Sequence, residues 1–335
     1  MNEMKTLLCV LGGFMVKTKK KRFHPYEGLT DEEKKMAKKA YWQRNICIFV
    51  MMIPVVAWFL VFSYWPLYYL RMAFYDYKYI KGFSGSEFVG LENFIKFFRQ
   101  DGLTYVWNTL AINILALIFL FPFPIILAIL FNELSNAIFR KTAQTVSYLP
   151  HFLSTTALVG IIYLVFDSEA AGGLINHILV SVFKVNQENF LSSEKWFRSI
   201  QVISGIWQTA GWSTIVYTAA LTAIDPQLYE AARVEGASRW HQIRTITLPA
   251  LVPTILIMLT LQLGSIMGSN FDKIQLLQNA GNIKVSEVVL TFIYSQGIRE
   301  PGYGTAVGLL NSVVGLIFVI ASNKISKKMA NTSVW

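Results

Sequence analysis

The side chains able to do covalent or acid–base chemistry are all present in this sequence, but their spacing gives them no shared task. The four histidines (His24, His151, His177 and His241) are scattered without metal-ligand spacing, and Cys9 and Cys47 form no CxxC pair. Neither a zinc site nor a disulfide framework is implied. There is no GxxxxGK[ST] loop to cradle nucleotide phosphates, no GxSxG and no HExxH. Asp76, Asp167 and Asp272 are isolated carboxylates, not pairs. What remains is recognition chemistry, in which amides and indoles hydrogen-bond and stack on a polar ligand. Trp207-Gln208 and Trp212 place such groups on one apolar stretch, and Gln262, Asn311, Asn108, Asn113 and His151 place them on others. The competing use is structural: Gln and Asn in membrane helices also hold helices together, at about 0.6 kcal/mol per pair.

These residues need elements to carry them, and composition names the class. The chain is 54% hydrophobic, 14% aromatic and only 15% charged, with a mean hydropathy of +0.43, which is the profile of an integral membrane protein. Length and absence of charge predict six apolar spans near 46–73, 103–131, 143–166, 199–222, 249–268 and 304–323. Prolines 54, 66, 122, 124, 150 and 253 fall inside them and predict kinks that neighbouring helices can satisfy. The Thr6–Val16 apolar piece is too short to cross roughly 30 Å of hydrocarbon. Its basic cluster follows it, which argues against a removed leader. It reads as a surface-lying tail. Thr30 with Glu33 predicts a capped, charged helix just before the first span.

The net charge of +10 could suggest nucleic acid, but its distribution does not. With the amino terminus inside, the inner segments carry nineteen Lys and Arg and the outer loops ten, Arg71 lying within a span. Both termini are therefore expected in the cytoplasm. The spans contain no Asp, Glu or Lys. A stand-alone secondary carrier usually keeps an ionisable residue in the membrane to bind its coupling ion, so free energy is expected to enter elsewhere.

Asp225–Pro249 offers the place. Asp225-Pro226 is a helix start, with a carboxylate to accept orphan amides and a proline at the first position. Leu228, Ala231, Ala232 and Glu235 then share a face, Gly236 supplies a corner, and Trp240, Ile243 and Thr247 continue at helical spacing before Leu248-Pro249. A short helix, a glycine corner and a second short helix make a bent hook. Its Glu230-Ala231-Ala232, Glu235-Gly236-Ala237, Ile246 and Leu248-Pro249 resemble the EAA signature of permease subunits of bacterial ABC importers. One departure is Glu235, where Asp is commoner and the charge is kept.

The resemblance implies an all-α type I ABC importer transmembrane domain with six helices. Its hook seats on an ATP-hydrolysing partner, the first Glu meeting a basic residue and the Ala pair allowing close approach. The full assembly would contain a second, related permease as a heterodimer, two ATP-binding subunits holding ATP and Mg2+, and an extracellular substrate-binding protein. The chain itself would hold no cofactor and do no catalysis. The stretch FYDYKYIKGFSGSEFVGLENF resembles permeases that import oligosaccharides released from polysaccharides. Trp207, Gln208, Trp212, Gln262, Asn311 and Asn113 would then line a sugar pathway. Residues 1–45 form a basic cytoplasmic segment, 46–323 the permease with its hook at 225–249, and 324–335 a cytoplasmic tail.

Helical stretches are also expected in the outer loops: at Leu91, Phe94, Ile95 and Phe98, after Gly172-Gly173, and from Glu287 to Tyr294. These segments either pack within the protein or form the docking surface for the binding protein. A membrane-embedded glycosyltransferase is the enzymatic alternative, and it would need clustered acidic residues at the membrane edge.

Overall fold

The computed structural model describes residues 30–168, 172–268 and 270–330. The Thr6–Val16 piece, its basic cluster, Cys9, His24 and residues 331–335 lie outside them. Contacts divide the chain into two units at Tyr68. In the first, Thr30 opens helix α1 (Asp31–Phe59) with the expected capping box, its hydroxyl accepting from the Glu33 amide. The Thr30 amide and hydroxyl hold the Glu33 carboxyl below its usual pKa. The helix continues through Leu60–Tyr64 and Trp65–Phe74, and its most apolar window, within Lys39–Phe74, is entirely unburied.

In the second unit a two-residue antiparallel ladder pairs β1 (Tyr75–Asp76) with β2 (Glu87–Phe88). The Arg71 guanidinium lies over Phe83, 3.6 Å from the ring centre. Helices follow as α2 (Glu92–Arg99), α3 (Gly102–Leu115), α4 (Pro122–Glu133), α5 (Ala137–Tyr148), α6 (Thr155–Phe166), α7 (Leu174–Ser181) and α8 (Glu194–Thr222). Then come α9 (Pro226–Val234), α10 (Arg239–Gln242), α11 (Leu248–Gly264), α12 (Phe271–Leu277), α13 (Ile283–Ser286), α14 (Val289–Arg299) and α15 (Pro301–Ala330).

Among the described residues, four helical stretches are long and apolar enough to cross a membrane: Lys39–Phe74, Gly102–Glu133, Arg239–Gly264 and Pro301–Lys324. Ala137–Phe152 with Thr155–Phe166 makes a fifth if the pair, bent by 100°, is one span. The expected continuous span at 143–166 is thus broken. After Pro150 the backbone of Leu153 is extended, and Ser154 caps a new helix by accepting from the Ala157 amide at 3.2 Å. The remaining expected span, the fourth at 199–222, lies in α8, which is long enough at 29 residues but less apolar. Its buried face carries Gln201, Ser204 and Thr214.

Of the prolines that the helices cross without a break, three are crossed in the same way. A proline ring collides with the carbonyl four residues back and lacks an amide hydrogen. The carbonyls at risk ahead of Pro66, Pro122 and Pro249 belong to Phe62, Ile118 and Thr245. All three sit in widened turns: Leu60–Tyr64, Ala116–Leu120 and Ile243–Thr247. In each, the residue just before the proline donates to a carbonyl five back: Trp65 to Leu60, Phe121 to Ala116 and Leu248 to Ile243. The widened ring carries the helix past the blocked position, so the helix continues instead of stopping.

The core has three centres. Ala128, Tyr217, Leu221 and Leu251 pack where α4, α8 and α11 meet near the hook. Ile112, Leu158, Ile162, Phe197, Ile274 and Leu277 pack at the opposite end of α8. Phe97, Ile266, Phe292, Tyr303 and Val307 join α2, α14 and α15. At one point α8 comes so close to α5 that a side chain at Gly211 would lie 1.9 Å from the Ser147 carbonyl oxygen.

The loop segments far from the hook are fastened by buried asparagines. Asn176 donates to the Asp167 and Glu188 carbonyls at 2.7 and 2.9 Å, and Asn282 to those of Leu191 and Leu277 at 2.8 and 2.9 Å. On α12, Lys273 is only 5% exposed, and its ammonium donates to the Gln201 carbonyl at 2.9 Å and the Ser204 hydroxyl at 3.1 Å. Burial pulls its pKa down to about 8. On α2, Phe97 is buried, whereas Leu91, Ile95 and Phe98 are exposed. Three of the four residues of the expected apolar face thus turn outward, and the fourth, Phe94, is half-buried with its ring 5.5 Å from that of Phe74.

Candidate functional site

The hook is built as a closed corner. Asp225 caps α9 by accepting from the Gln227 amide at 2.9 Å, and Pro226 takes the first helical position. At the other end Gly236 turns at φ +78. The Ala237 amide reaches back to the Ala232 carbonyl at 2.9 Å, and the Gly236 amide to that of Arg233 at 3.1 Å. This pair of bonds is a Schellman closure, which needs a residue at ease in the left-handed region. Ser238 immediately starts the second arm, its hydroxyl accepting from the His241 amide at 3.3 Å. Gln242 ties that arm to the corner by donating to the Ala237 carbonyl at 2.8 Å.

The second arm is not the separate short helix expected from the sequence. α10 passes through the widened turn before Pro249 directly into α11, so Arg239–Gly264 is one helical stretch of 26 residues. A proline that reads as a boundary is here bridged.

Two links fasten the hook to the bundle. Tyr229 and Thr247 share a hydroxyl–hydroxyl hydrogen bond of 3.0 Å, and Thr247 is fully buried. Arg239 pairs with Glu133, at the end of α4, at 3.0 Å. The arginine side chain is 71% exposed, so this pair is worth less than about 1 kcal/mol. Between these links lies a cavity of about 440 Å³ lined by Asn132, Glu133, Tyr229, Arg233, Arg239 and Gln242.

The predicted face divides. Ala232 and Ala237 are half-buried toward the bundle with Tyr229, while Leu228, Glu230, Ala231, Glu235 and Gly236 are exposed. Leu248 is half-buried and Pro249 exposed, at the start of α11. Val234 and Trp240, 90% and 70% exposed, extend the free surface. The hook therefore offers two carboxylates, small residues and apolar side chains away from the bundle. Sequence reasoning missed Ser238, although a serine three residues before His241 at a helix start is a readable cap. It also missed Tyr229–Thr247 and Glu133–Arg239, which no local pattern encodes.

Of the predicted pathway residues, two come together. Trp212 of α8 and Gln262 of α11 line one cavity of about 540 Å³, with Phe121, Ser213, Tyr217 and Ser265. His151 stacks on the Trp212 ring at 4.7 Å, with the planes 7° apart, and fixes the indole. Gln208 donates to the Leu153 carbonyl at 3.4 Å, at the break between α5 and α6. Trp207 lines a different groove with Phe123, Val146 and Pro150. Asn113 is buried and donates to the Thr109 carbonyl at 2.8 Å. Asn311 is half-buried on α15, its side-chain oxygen unmatched by any donor among the described residues. Asn108 is structural, donating to the Lys284 and Glu287 carbonyls at 2.7 and 3.1 Å.

Long apolar helices, a rigid polar elbow at one end and an aromatic- and amide-lined cavity among the helices define a membrane permease. The chain belongs to the family of binding-protein-dependent transport system inner membrane components, whose pattern matches residues 120–331. It is 40% identical over 291 residues to the polygalacturonan/rhamnogalacturonan transport system permease protein YteP of Bacillus subtilis (strain 168), covering 86% of this chain and 90% of that protein. It is 39% identical over 289 residues to protein LplB of the same organism, covering 85% and 90%. The fold is similar to one in the crystal structure of a bacterial ABC transporter involved in the import of the acidic polysaccharide alginate. That match has a TM-score of 0.80 and 35% identity, and covers 88% of this chain and 99% of that one. A bacterial alginate ABC transporter in complex with alginate pentasaccharide-bound periplasmic protein matches at the same TM-score with 36% identity. This chain is a transmembrane permease of the ABC import type, and neither the secondary carrier nor the glycosyltransferase reading is retained.

Proposed function

We propose that this permease carries an oligosaccharide across the cytoplasmic membrane, with the Trp212–Gln262 cavity as its contribution to the pathway. The observation that carries the reading is the hook: a closed elbow, tied to the bundle at Thr247 and Glu133, with Glu230, Ala231 and Glu235 free on its outer face. That face suits an ATP-binding subunit, where ATP and Mg2+ would be held; with such a partner the hook is cytoplasmic, and the Lys and Arg distribution supports both termini on the same side. A second permease completes the pathway, two ATP-binding subunits drive it, and an extracellular binding protein delivers the sugar. Relatives named for polygalacturonan, rhamnogalacturonan and alginate support the substrate class.

Mechanically, closure of the ATPase pair favours one of two arrangements of the bundle. The hook transmits only the difference in its contacts between them. In the cavity, the Trp212 face stacks on sugar C–H surfaces while Gln262, Ser213 and Ser265 exchange hydrogen bonds with hydroxyls. The test is ATP hydrolysis by the reconstituted assembly, with its binding protein, across a panel of neutral and uronate-containing oligosaccharides. Stimulation by a member of the panel supports the assignment. Sugar uptake that proceeds without any ATPase subunit overturns it.

A further inference from the structure

Arg198 occupies a position that hook and pathway leave unexplained. It lies one turn into α8, at the end away from the hook, and bonds Asn108, the residue that follows the exposed Trp107 near the start of α3. An exposed tryptophan at a span's end marks the level of the membrane–water interface. A guanidinium carries five N–H donors, yet among the described residues Arg198 makes a single hydrogen bond, from Nη2 to the Asn108 side-chain oxygen at 3.0 Å. Its Nε is buried without an acceptor, and no carboxylate lies within salt-bridge distance among the described residues. A cation held at this level with one partner is poised for an anion.

Beside it runs a groove of about 230 Å³, lined by Leu115, Phe119, Val202, Ile203 and Ile206, with Ser199 next to the arginine. Leu115 to Phe119 is one helical turn and Val202 to Ile206 another, so the groove follows the helix axes, as lipid chains do. The groove is apolar along its length and charged only at its Arg198 end, the layout that an acyl chain below an anionic head group would match.

We propose that this groove holds one acyl chain of an anionic phospholipid whose phosphate rests on the Arg198 guanidinium. A phosphodiester accepts two parallel N–H bonds from the planar fork, the chain covers Phe119 and the 59% exposed Ile203, and the second chain stays in the bilayer. The site requires only that the chain is embedded in a membrane, so it stands whatever the transported sugar is.

The test is native mass spectrometry of the purified full chain in micelles doped with phosphatidylglycerol or with phosphatidylcholine. The wild type is expected to retain phosphatidylglycerol selectively, and R198Q to lose about fivefold in affinity for it. I203W leaves the guanidinium in place but fills the groove, and is expected to lose the lipid as well. This arm decides the matter if R198Q fails to fold. Equal retention by the wild type and both variants overturns the proposal. So does a loss in R198Q that I203W does not share, which would mark a head-group site without a chain. Cross-linking of a cysteine at position 203 to a protein helix in place of lipid overturns it too.

Discussion

Tyr229 and Thr247 meet hydroxyl to hydroxyl at 3.0 Å across the hook's corner, eighteen residues apart in sequence. The bond fixes the first arm of the hook against the buried start of span five. Thr247 is fully buried, so with the phenol removed its hydroxyl keeps only its long bond to the Gln242 carbonyl, 3.5 Å. Tyr229→Phe should leave the hook folded at a cost of about 1 kcal/mol and loosen it. The expected outcome is more ATP hydrolysed per sugar imported, measured as the ratio of the two rates in proteoliposomes.

Gly236 tests the corner itself. A side chain there would meet nothing within 4 Å, so any cost of substitution is conformational and not steric. Gly236→Ala should cost about 1–2 kcal/mol and reduce transport partially. Gly236→Pro removes both the positive φ and the amide bonded to Arg233, and should abolish transport while membrane insertion stays normal. Glu230→Ala, which leaves the corner intact, should also uncouple transport. Uptake assays paired with membrane fractionation separate these outcomes, and normal uptake in the proline variant would refute a coupling role.

In the cavity, Trp212→Ala removes the indole that His151 holds in place, and Gln262→Ala removes the facing amide. If both meet the sugar in passage, each should lower the rate of binding-protein-stimulated transport without changing the basal ATPase rate. Asn113→Ala, by contrast, should act on stability, because its amide is already spent on the Thr109 carbonyl.

Lys273 predicts a pH dependence. Burial lowers its pKa from 10.5 to about 8. Between about pH 8 and 10.5 the folded protein has released a proton that the unfolded chain still holds, so stability rises with pH through that window. Below it both states are protonated and the contribution is flat. The gain across the window should be roughly 3 kcal/mol at most. Thermal melts at pH 7.5 and pH 10 should show it in the wild type and not in Lys273→Met.

The parts of this architecture legible in the sequence are those set by neighbours in the chain. Thr30 with Glu33, Asp225-Pro226 and Gly236 each carry their cap or corner within a few residues, and the structure places all three as read. The prolines were harder. Pro249 reads as a boundary, but a widened turn makes it continuous, whereas Pro150 reads as a kink and ends in a break of 100°. Local chemistry is similar in both, and the packing of neighbouring helices decides. Glu133–Arg239 and Tyr229–Thr247 were invisible because nothing in one segment names its partner in another. Trp207, one residue from Gln208 and five from Trp212, went to a different groove because helical rotation separates near neighbours.

The bridging of Pro249 has a mechanical result. From Arg239 to Gln262 the chain is one helical stretch of about 35 Å, gripped at its lower end by Glu133 through Arg239 and by Tyr229 through Thr247. A tilt of about 5° at the elbow would swing Gln262 by about 3 Å, roughly the length of a hydrogen bond. A lever of that length can open or close its grip on a sugar hydroxyl without any helix in the bundle unwinding.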